Sequence, residues 1–214
     1  MGQHVDIREG DRASHVAIAV KAIRDGYIFA APLEHGYAFF VDAFSHDGVR
    51  AMHALRQDQL FTAAQVMVAD ISIVKGLVRD INEEIENIMA NFWPGLLSLN
   101  LRPQQGLGWD LGDNRELDRI SIRVPDSDFI REVLRETGPL AVASAVFTGR
   151  APIQSTFMIN ALDSDLAVTF DAGDLPQGPR STIVEADSSG IQLIREGALS
   201  LEALRAVAPS ITAK

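Results

Sequence analysis

The stretch NFWPGLLSLNLRP, residues 91–103, joins the end of a predicted helix to the beginning of a predicted strand. Pro94 cannot continue the helix, because proline has no N–H group and its ring clashes with the preceding turn. Gly95 can adopt the backbone angles of a tight turn. From Leu96 to Leu101 apolar residues alternate imperfectly with small polar residues, a pattern typical of a half-buried strand. The stretch therefore predicts a helix, a tight turn and a sheet strand in succession.

Helices and strands also alternate in the rest of the chain. Capping residues predict the helix starts: Ser45 or Asp47, Asp80 with Glu83 in a capping box, Asp126 or Ser127, and Ser200. Residues 13–25 form a further helix that ends before Gly26. Strands are predicted at 27–31, 38–41, 65–68, 119–124, 140–145, 166–170, 181–184 and 191–194, and residues 104–118 are predicted to be a polar loop. This order favours an open α/β sheet.

The composition predicts one soluble domain. The chain has 214 residues, no cysteine, and an apolar fraction of 47%. No apolar run approaches the ~18 residues of a membrane span, and the polar start, residues 1–12, has no signal-peptide core. We expect a flexible arm at 1–11, a single domain at 12–209, a tail at 210–214, and a cytoplasmic protein that does not associate with membranes.

Charge and histidine spacing argue against two classes of site. The net charge of −10 disfavours broad attraction to nucleic acid, whose binding depends on phosphate neutralisation. All five histidines lie within the first 53 residues, and none is paired at the i, i+4 spacing of a helical zinc site. We therefore predict no metal site. The chain also has no Walker A loop and no dinucleotide-binding glycine motif.

Five short motifs in sequence order resemble the YrdC family, which includes the threonylcarbamoyl-AMP synthases of tRNA modification. They are FWPG at 92–95, RVP at 123–125, SA followed by TG within 144–149, STIV at 181–184, and IREGAL at 194–199. The resemblance extends from about Ala13 to Leu204. It implies a three-layer α/β domain whose twisted mixed sheet surrounds a concave pocket. In active members that pocket binds ATP, threonine and bicarbonate, and the products are threonylcarbamoyl-adenylate and pyrophosphate.

The active-site signatures depart from the family pattern. The family's PTDTVYGL stretch corresponds to Pro32–Phe39, which retains the proline and the tyrosine but not the aspartate or either threonine. The family's Lys-x-Arg corresponds to Arg56 and Asp58 at its two ends, and its Ser-x-Asn to Ser144 and Val146. Adenylate formation needs cations and hydrogen-bond donors around the phosphates. One charge at ~4 Å is worth ~4 kcal/mol at an effective dielectric near 20. A carboxylate at Asp58 facing the triphosphate would therefore oppose the reaction.

By the resemblance, the candidate residues of a nucleotide or substrate pocket are Glu34, His35, Tyr37, Arg56, Arg123, Ser144, Ser181, Thr182 and Arg195. Structural roles remain open for Arg123, Ser181, Thr182 and Arg195. A carboxylate next to an imidazole, as in Glu34-His35, could perform acid–base chemistry, although adjacent side chains often point apart. The sequence does not identify a catalytic residue.

Three hypotheses follow. The first is a YrdC-like protein that binds a nucleotide or a small anion, with standard synthase activity weakened or lost. The second is an active ATP-dependent threonylcarbamoyl-AMP synthase, a nucleotidyltransferase, with a rewired site that uses His35, Arg56 and Arg195. The third, taken from the family, is a double-stranded-RNA-binding module, which the negative charge disfavours.

Overall fold

A computed structural model describes residues 2–114, 116, 118–159, 161 and 165–213. Its helices are α1 Arg12–Arg24, α2 His46–Arg56, α3 Ile71–Leu77, α4 Glu83–Phe92, α5 Asp128–Thr137 and α6 Leu201–Arg205, with a 3-10 turn at Thr156–Met158. Its strands are β1 Gln3–Asp6, β2 Phe29–Pro32, β3 Tyr37–Asp42, β4 Gln65–Met67, β5 Leu97–Leu101, β6 Ile120–Arg123, β7 Leu140–Ser144, β8 Val168–Asp171, β9 Thr182–Asp187, β10 Gly190–Arg195 and β11 Thr212–Ala213.

These strands form one mixed sheet in the order β1-β8-β2-β3-β7-β4-β6-β5-β9-β10-β11. Strands β4 and β6 are parallel, as are β5 and β9, whereas β3 with β7 and β5 with β6 are antiparallel. Because the order departs from the chain order, segments far apart in sequence become neighbours in the sheet. The mixed α/β fold predicted from the resemblance is confirmed.

Apolar side chains cover both faces of the sheet and create three layers. On one face, α1 and α5 pack through residues such as Val20 and Leu134 against Phe29, Phe40 and Phe170 of the strands. On the other face, buried residues of α2, α4 and α6 form the larger core cluster, which includes Met52, Ile88 and Leu204. The concave pocket described below also opens on this sheet.

The FWPG turn is held by its own backbone and by the strands. Trp93 is buried, and its indole N–H donates to the Leu97 carbonyl at 2.7 Å. The backbone N–H of Gly95 donates to the Val124 carbonyl at 3.0 Å. A Cβ atom at Gly95 would lie 2.7 Å from the Phe92 carbonyl oxygen, so only glycine fits there without a shift. The turn thus positions β5 beside β6.

Helix capping follows the sequence with one correction. Ser45, Ser127 and Ser200 cap α2, α5 and α6 as expected. The capping box predicted from Asp80 is wrong, because the N-cap of α4 is Asn82, whose side chain accepts from the backbone N–H of Ile85 at 2.9 Å. Asparagine is an equally good N-cap and lies directly before the first helical residue.

The segments expected to be a flexible arm and a tail both add strands to the sheet. Gln3–Asp6 pairs in parallel with β8, and Thr212–Ala213 pairs in parallel with β10. The loop after β5 also differs from expectation, because Trp109 and Leu111 are buried in it. Over the ranges described above, no helix is both long and apolar enough to cross a membrane.

Candidate anion-binding pocket

A cavity of about 470 Å³ opens between the end of α2, the β2–β3 turn and the β9–β10 side of the sheet. This volume is within the range of small-molecule sites, about 300–1,000 Å³. All the candidate residues from the sequence line the cavity except Thr182. The structure also adds His53, Asp58, Gln65, Ser98, Arg150 and Arg180 to the lining.

Thr182 lies beneath the pocket, where its hydroxyl organises the backbone. Its side chain is fully buried. The hydroxyl donates to the Leu199 carbonyl at 2.9 Å and accepts from the N–H groups of Gly197 and Leu199 at 3.1 and 2.8 Å. These contacts join the start of β9 to the segment after β10. Strand alternation explains the difference from its neighbour Ser181, which lines the pocket.

Arg123 and Glu34 form a nearly buried ion pair in the pocket wall. Their side chains are 7% and 11% exposed, and Arg123 Nη2 lies 2.5 Å from Glu34 Oε1. Arg123 Nε also donates to the Gly95 carbonyl at 2.8 Å, and Glu34 accepts from the Asp126 backbone N–H at 2.8 Å. This pair therefore ties the FWPG turn to the β2–β3 turn. Glu34 does not act with the adjacent His35 as an acid–base pair.

His35 contacts the loop between β8 and β9. Its Nδ1 lies 3.2 Å from the Pro176 carbonyl oxygen, and it donates because the carbonyl can only accept. The ring lies so close to Gly178 that a Cβ atom there would overlap it. His35 therefore supports the loop that precedes Arg180.

The hydroxyl of Tyr37 points away from solvent toward the end of β8. It lies 2.7 Å from the Gly173 carbonyl and 3.1 Å from Asp171 Oδ1, and it accepts from the Ala172 N–H at 2.9 Å. Burial is the main cause that raises the pKa of Tyr37 to about 12. The phenol stays protonated at neutral pH, so it can position groups but is a poor base there.

At the β7 side of the pocket, Arg56 and Asp58 belong to a closed cluster. Arg56 Nε donates to Asp58 Oδ2 at 2.9 Å, and Arg56 Nη1 donates to the carbonyls of Ser144 and Val146. Asp58 also accepts from the Thr148 hydroxyl and from His53 Nδ1. Its side chain is only 2% exposed. Asp58 thus lines the cavity, but its carboxylate is engaged by Arg56, His53 and Thr148 rather than left to oppose a bound phosphate.

His53 completes this cluster with both ring nitrogens. Nδ1 lies 2.6 Å from Asp58 Oδ2, and Nε2 lies 2.8 Å from the Leu111 carbonyl oxygen. The two ring nitrogens therefore lie between the Asp58 carboxylate and the Leu111 backbone. The cluster thus joins α2 to the loop that follows β5.

The pocket floor is a row of polar groups that crosses neighbouring strands. Gln65 Nε2 donates to Ser98 Oγ at 2.8 Å, and Ser98 Oγ lies 3.3 Å from Ser181 Oγ. Arg195 Nη2 reaches the carbonyl and the hydroxyl of Ser181 at 2.8 and 3.3 Å. The floor therefore leads from β4 past β6 and β5 to Ser181, just before β9, and ends at Arg195 of β10.

Arg195 and Arg180 form the cationic side of the pocket. Burial lowers the pKa of Arg195, and the like charge of Arg180 lowers it further. Arg150 and Arg180 line the cavity and are exposed. Among the described residues, no carboxylate pairs with Arg150, Arg180 or Arg195. Three arginines without acidic partners can bind phosphate or carboxylate oxygens.

The sequence contained a signal for two of these missed residues. Arg150 directly follows the TG motif at 148–149, and Arg180 directly precedes STIV at 181–184. Both flank motifs that had already been assigned to the pocket. Gln65, Ser98 and His53 carry no comparable signal, because each is a polar residue within an ordinary strand or helix.

Comparisons with known proteins give the family. The sequence model of the Sua5/YciO/YrdC family, described as "Telomere recombination", matches residues 21–197. A putative threonylcarbamoyl-AMP synthase of Mycobacterium tuberculosis is 31% identical over 197 residues, which are 92% of this chain and 90% of that protein. The threonylcarbamoyl-AMP synthase of Bacillus subtilis is 28% identical over 194 residues, which are 90% of this chain and 56% of that protein.

Solved structures share the fold. Pyrococcus abyssi Sua5 in complex with L-threonine has a TM-score of 0.86 at 22% identity, covering 100% of this chain and 62% of that chain. Escherichia coli YciO has a TM-score of 0.79 at 19% identity, covering 95% of this chain and 100% of that chain. The present chain thus spans less than two thirds of the Pyrococcus protein. By its motifs, the match over residues 21–197 and its mycobacterial relative, the chain belongs to the Sua5/YciO/YrdC family and is related to the threonylcarbamoyl-AMP synthases of tRNA modification.

Proposed function

We propose that the pocket binds a nucleotide or a related small anion, and that standard threonylcarbamoyl-AMP synthase activity is weakened or lost. One observation carries the binding proposal. Arg150, Arg180 and Arg195 line one cavity without carboxylate partners among the described residues, in a chain whose net charge is −10. A local cluster of cations on an acidic protein attracts anions to one site rather than to the whole surface.

The polar floor supports a bound phosphate or carboxylate. Ser181 Oγ lies within 3.3 Å of both Ser98 Oγ and Arg195 Nη2. Because Ser98 and Arg195 both donate to the Ser181 oxygen, the O–H group of Ser181 is free to donate into the cavity. A ligand oxygen there would receive a hydrogen bond from Ser181 and charge from Arg180 and Arg195, and charged hydrogen bonds are the stronger kind.

Reduced synthase activity is inferred from the β7 side of the pocket. Arg56 already donates to Asp58 and to two backbone carbonyls, so most of its hydrogen-bonding capacity is used within the protein. Val146, where the family has asparagine, offers no polar side chain, and its side chain is buried. Loss of one preorganised donor can reduce catalysis by about 10²–10³-fold. ATP would then be a ligand, or a substrate that is consumed slowly.

Calorimetry with ATP, AMP and threonine tests the binding proposal. We expect saturable binding of at least one adenine nucleotide to the wild-type chain. Absence of binding by both nucleotides at millimolar concentration would refute a nucleotide site.

A second assay addresses catalysis. Pyrophosphate release from ATP, with threonine and bicarbonate present, should be at least ~100-fold slower than for the Bacillus subtilis relative assayed in parallel. Equal rates would instead support an active synthase with a rewired site. Binding without turnover would therefore support a nucleotide-binding protein with weakened synthase activity, and turnover at a normal rate would support an active synthase.

A further inference from the structure

The end of α2 is shaped to turn Asp58 back onto the helix. Gln57 has a left-handed backbone with φ 54°, and the N–H groups of Gln57 and Asp58 donate to the carbonyls of Ala54 and His53, each at 3.1 Å. A left-handed residue at this position commonly ends a helix and reverses the chain. The reversal brings the Asp58 carboxylate next to Arg56 instead of into the cavity.

Arg56 is consequently bound on two sides by acceptors of the protein. Its Nε donates to Asp58, and its Nη1 donates to the carbonyls of Ser144 and Val146, which follow at the end of β7. The backbone N–H of Thr148 also donates to the Arg56 carbonyl at 3.0 Å. The Arg56 side chain is 14% exposed. Only the Nη2 group remains without such a partner in the described residues, so this arginine has few hydrogen-bond donors left for a ligand.

The opposite side of the pocket is arranged differently. Within the described part of the chain, Arg195 donates only to Ser181, and the like charge of Arg180 acts on it. Two cations without an acidic partner bind one anionic group strongly. A second and third phosphate that extended toward β7 would meet Arg56, which Asp58 already engages, so that Arg150 would be the available cation on that side.

We propose that Asp58 is a specificity-determining residue, which holds Arg56 against the end of β7 so that the pocket gains less affinity from the second and third phosphates of a nucleoside triphosphate than it would with Arg56 released. This inference rests on the proposed function, because it assumes that the pocket binds nucleotides. Asp58 is itself a positioning residue, since it acts through Arg56. Neutralising its charge releases the arginine toward the ligand.

The test compares the dissociation constants of AMP and ATP, measured by calorimetry, for the wild type and for Asp58→Asn. The wild type should bind ATP less than about tenfold tighter than AMP. In Asp58→Asn the affinity for ATP should rise about tenfold, the effect of one gained charge-assisted hydrogen bond, while that for AMP changes less than about threefold.

Two further variants control for charge and for folding. Asp47→Asn removes the same charge from the first turn of α2, where the Asp47 side chain is fully exposed and 4.0 Å from Arg50, and it should leave the ratio of the two affinities unchanged. Thr148→Val removes the hydroxyl that donates to Asp58 but keeps the carboxylate. It should shift the ratio in the direction of Asp58→Asn by about threefold, and it provides the test if Asp58→Asn does not fold.

The possible results separate this inference from the proposed function. If AMP binds but the ratio is the same in Asp58→Asn, Thr148→Val and the wild type, the inference fails and the nucleotide site stands. If the wild type binds ATP more than about tenfold tighter than AMP, the inference fails as well. If neither nucleotide binds to any of the folded variants, both the inference and the proposed nucleotide function are overturned.

Discussion

Arg56, at the β7 side of the pocket, is bound by Asp58 and by two backbone carbonyls. By contrast, Arg195, at the β10 side, donates among the described residues only to Ser181 and feels the like charge of Arg180. Both arginines line the same cavity. The first stabilises the protein and the second is available to a ligand. The difference shows that an arginine in a pocket is a binding cation only when no other acceptor has already engaged it.

Arg123 extends this comparison, because it lines the pocket, is paired with a carboxylate and is buried more deeply than Arg56. Removing its partner should have the largest effect. In Glu34→Ala the 7% exposed guanidinium loses its carboxylate, and we expect a loss of about 3–5 kcal/mol of unfolding free energy in urea denaturation. The matched variant Glu132→Ala breaks the exposed contact with Arg12 and should cost less than about 1 kcal/mol. Equal losses in the two variants would show that Arg123 is not a structural arginine.

Arg195→Ala addresses the available side of the pocket. We expect the affinity for AMP or ATP to fall about 10–100-fold, because a charged hydrogen-bonding group is worth about 1.5–3 kcal/mol. Titration calorimetry measures the change. Arg24→Ala removes the same charge from an exposed position on α1 and should leave the affinity within about twofold. Equal affinities for Arg195→Ala and the wild type would show that Arg195 is not the arginine that binds the ligand.

Thr182→Val tests whether Thr182 belongs to the pocket lining or to the layer below it. The variant leaves the N–H groups of Gly197 and Leu199 without their acceptor, so unfolding free energy should fall by about 1–3 kcal/mol. Nucleotide affinity should change less than about threefold if the protein remains folded. Denaturation and calorimetry on the same preparation measure both quantities. A large loss of affinity with unchanged stability would instead place Thr182 in the site.

Tyr37→Phe should have the smallest effect at neutral pH, and its signature is a pH dependence. The folded pKa of Tyr37, about 12, is above its ordinary value of 10.0, so the folded state holds the proton more tightly than the unfolded state. The resulting stabilisation is complete below pH 10 and is lost as the pH rises toward 12. Urea denaturation at several pH values should therefore show a shallower decline above pH 10 for Tyr37→Phe than for the wild type. Parallel declines would contradict the raised pKa.

Several elements could be predicted because their signals are local. Ser127 caps the start of α5 as expected, and the helix ends at Gly138 with its apolar residues Phe129, Ile130, Val133 and Leu134 buried. The FWPG turn and β5 also follow from proline, glycine and alternation in one short stretch. The start of α4 was misplaced by two residues, because Asp80 and Asn82 are both good N-caps and spacing alone does not choose between them.

The sequence by itself determined the family, the alternation of helices and strands, and eight of the polar and charged residues that line the pocket. Only the tertiary structure decided which of them a ligand can use. Arg123 meets Glu34 across 89 positions, and Arg56 meets the backbone of residues 88 and 90 positions further along the chain. Such pairs depend on the order and register of the strands, which the hydrophobic periodicity of the sequence does not specify. From the sequence alone, Asp58 was interpreted as a charge that would face the ligand. In the structure its carboxylate is a buried partner of Arg56.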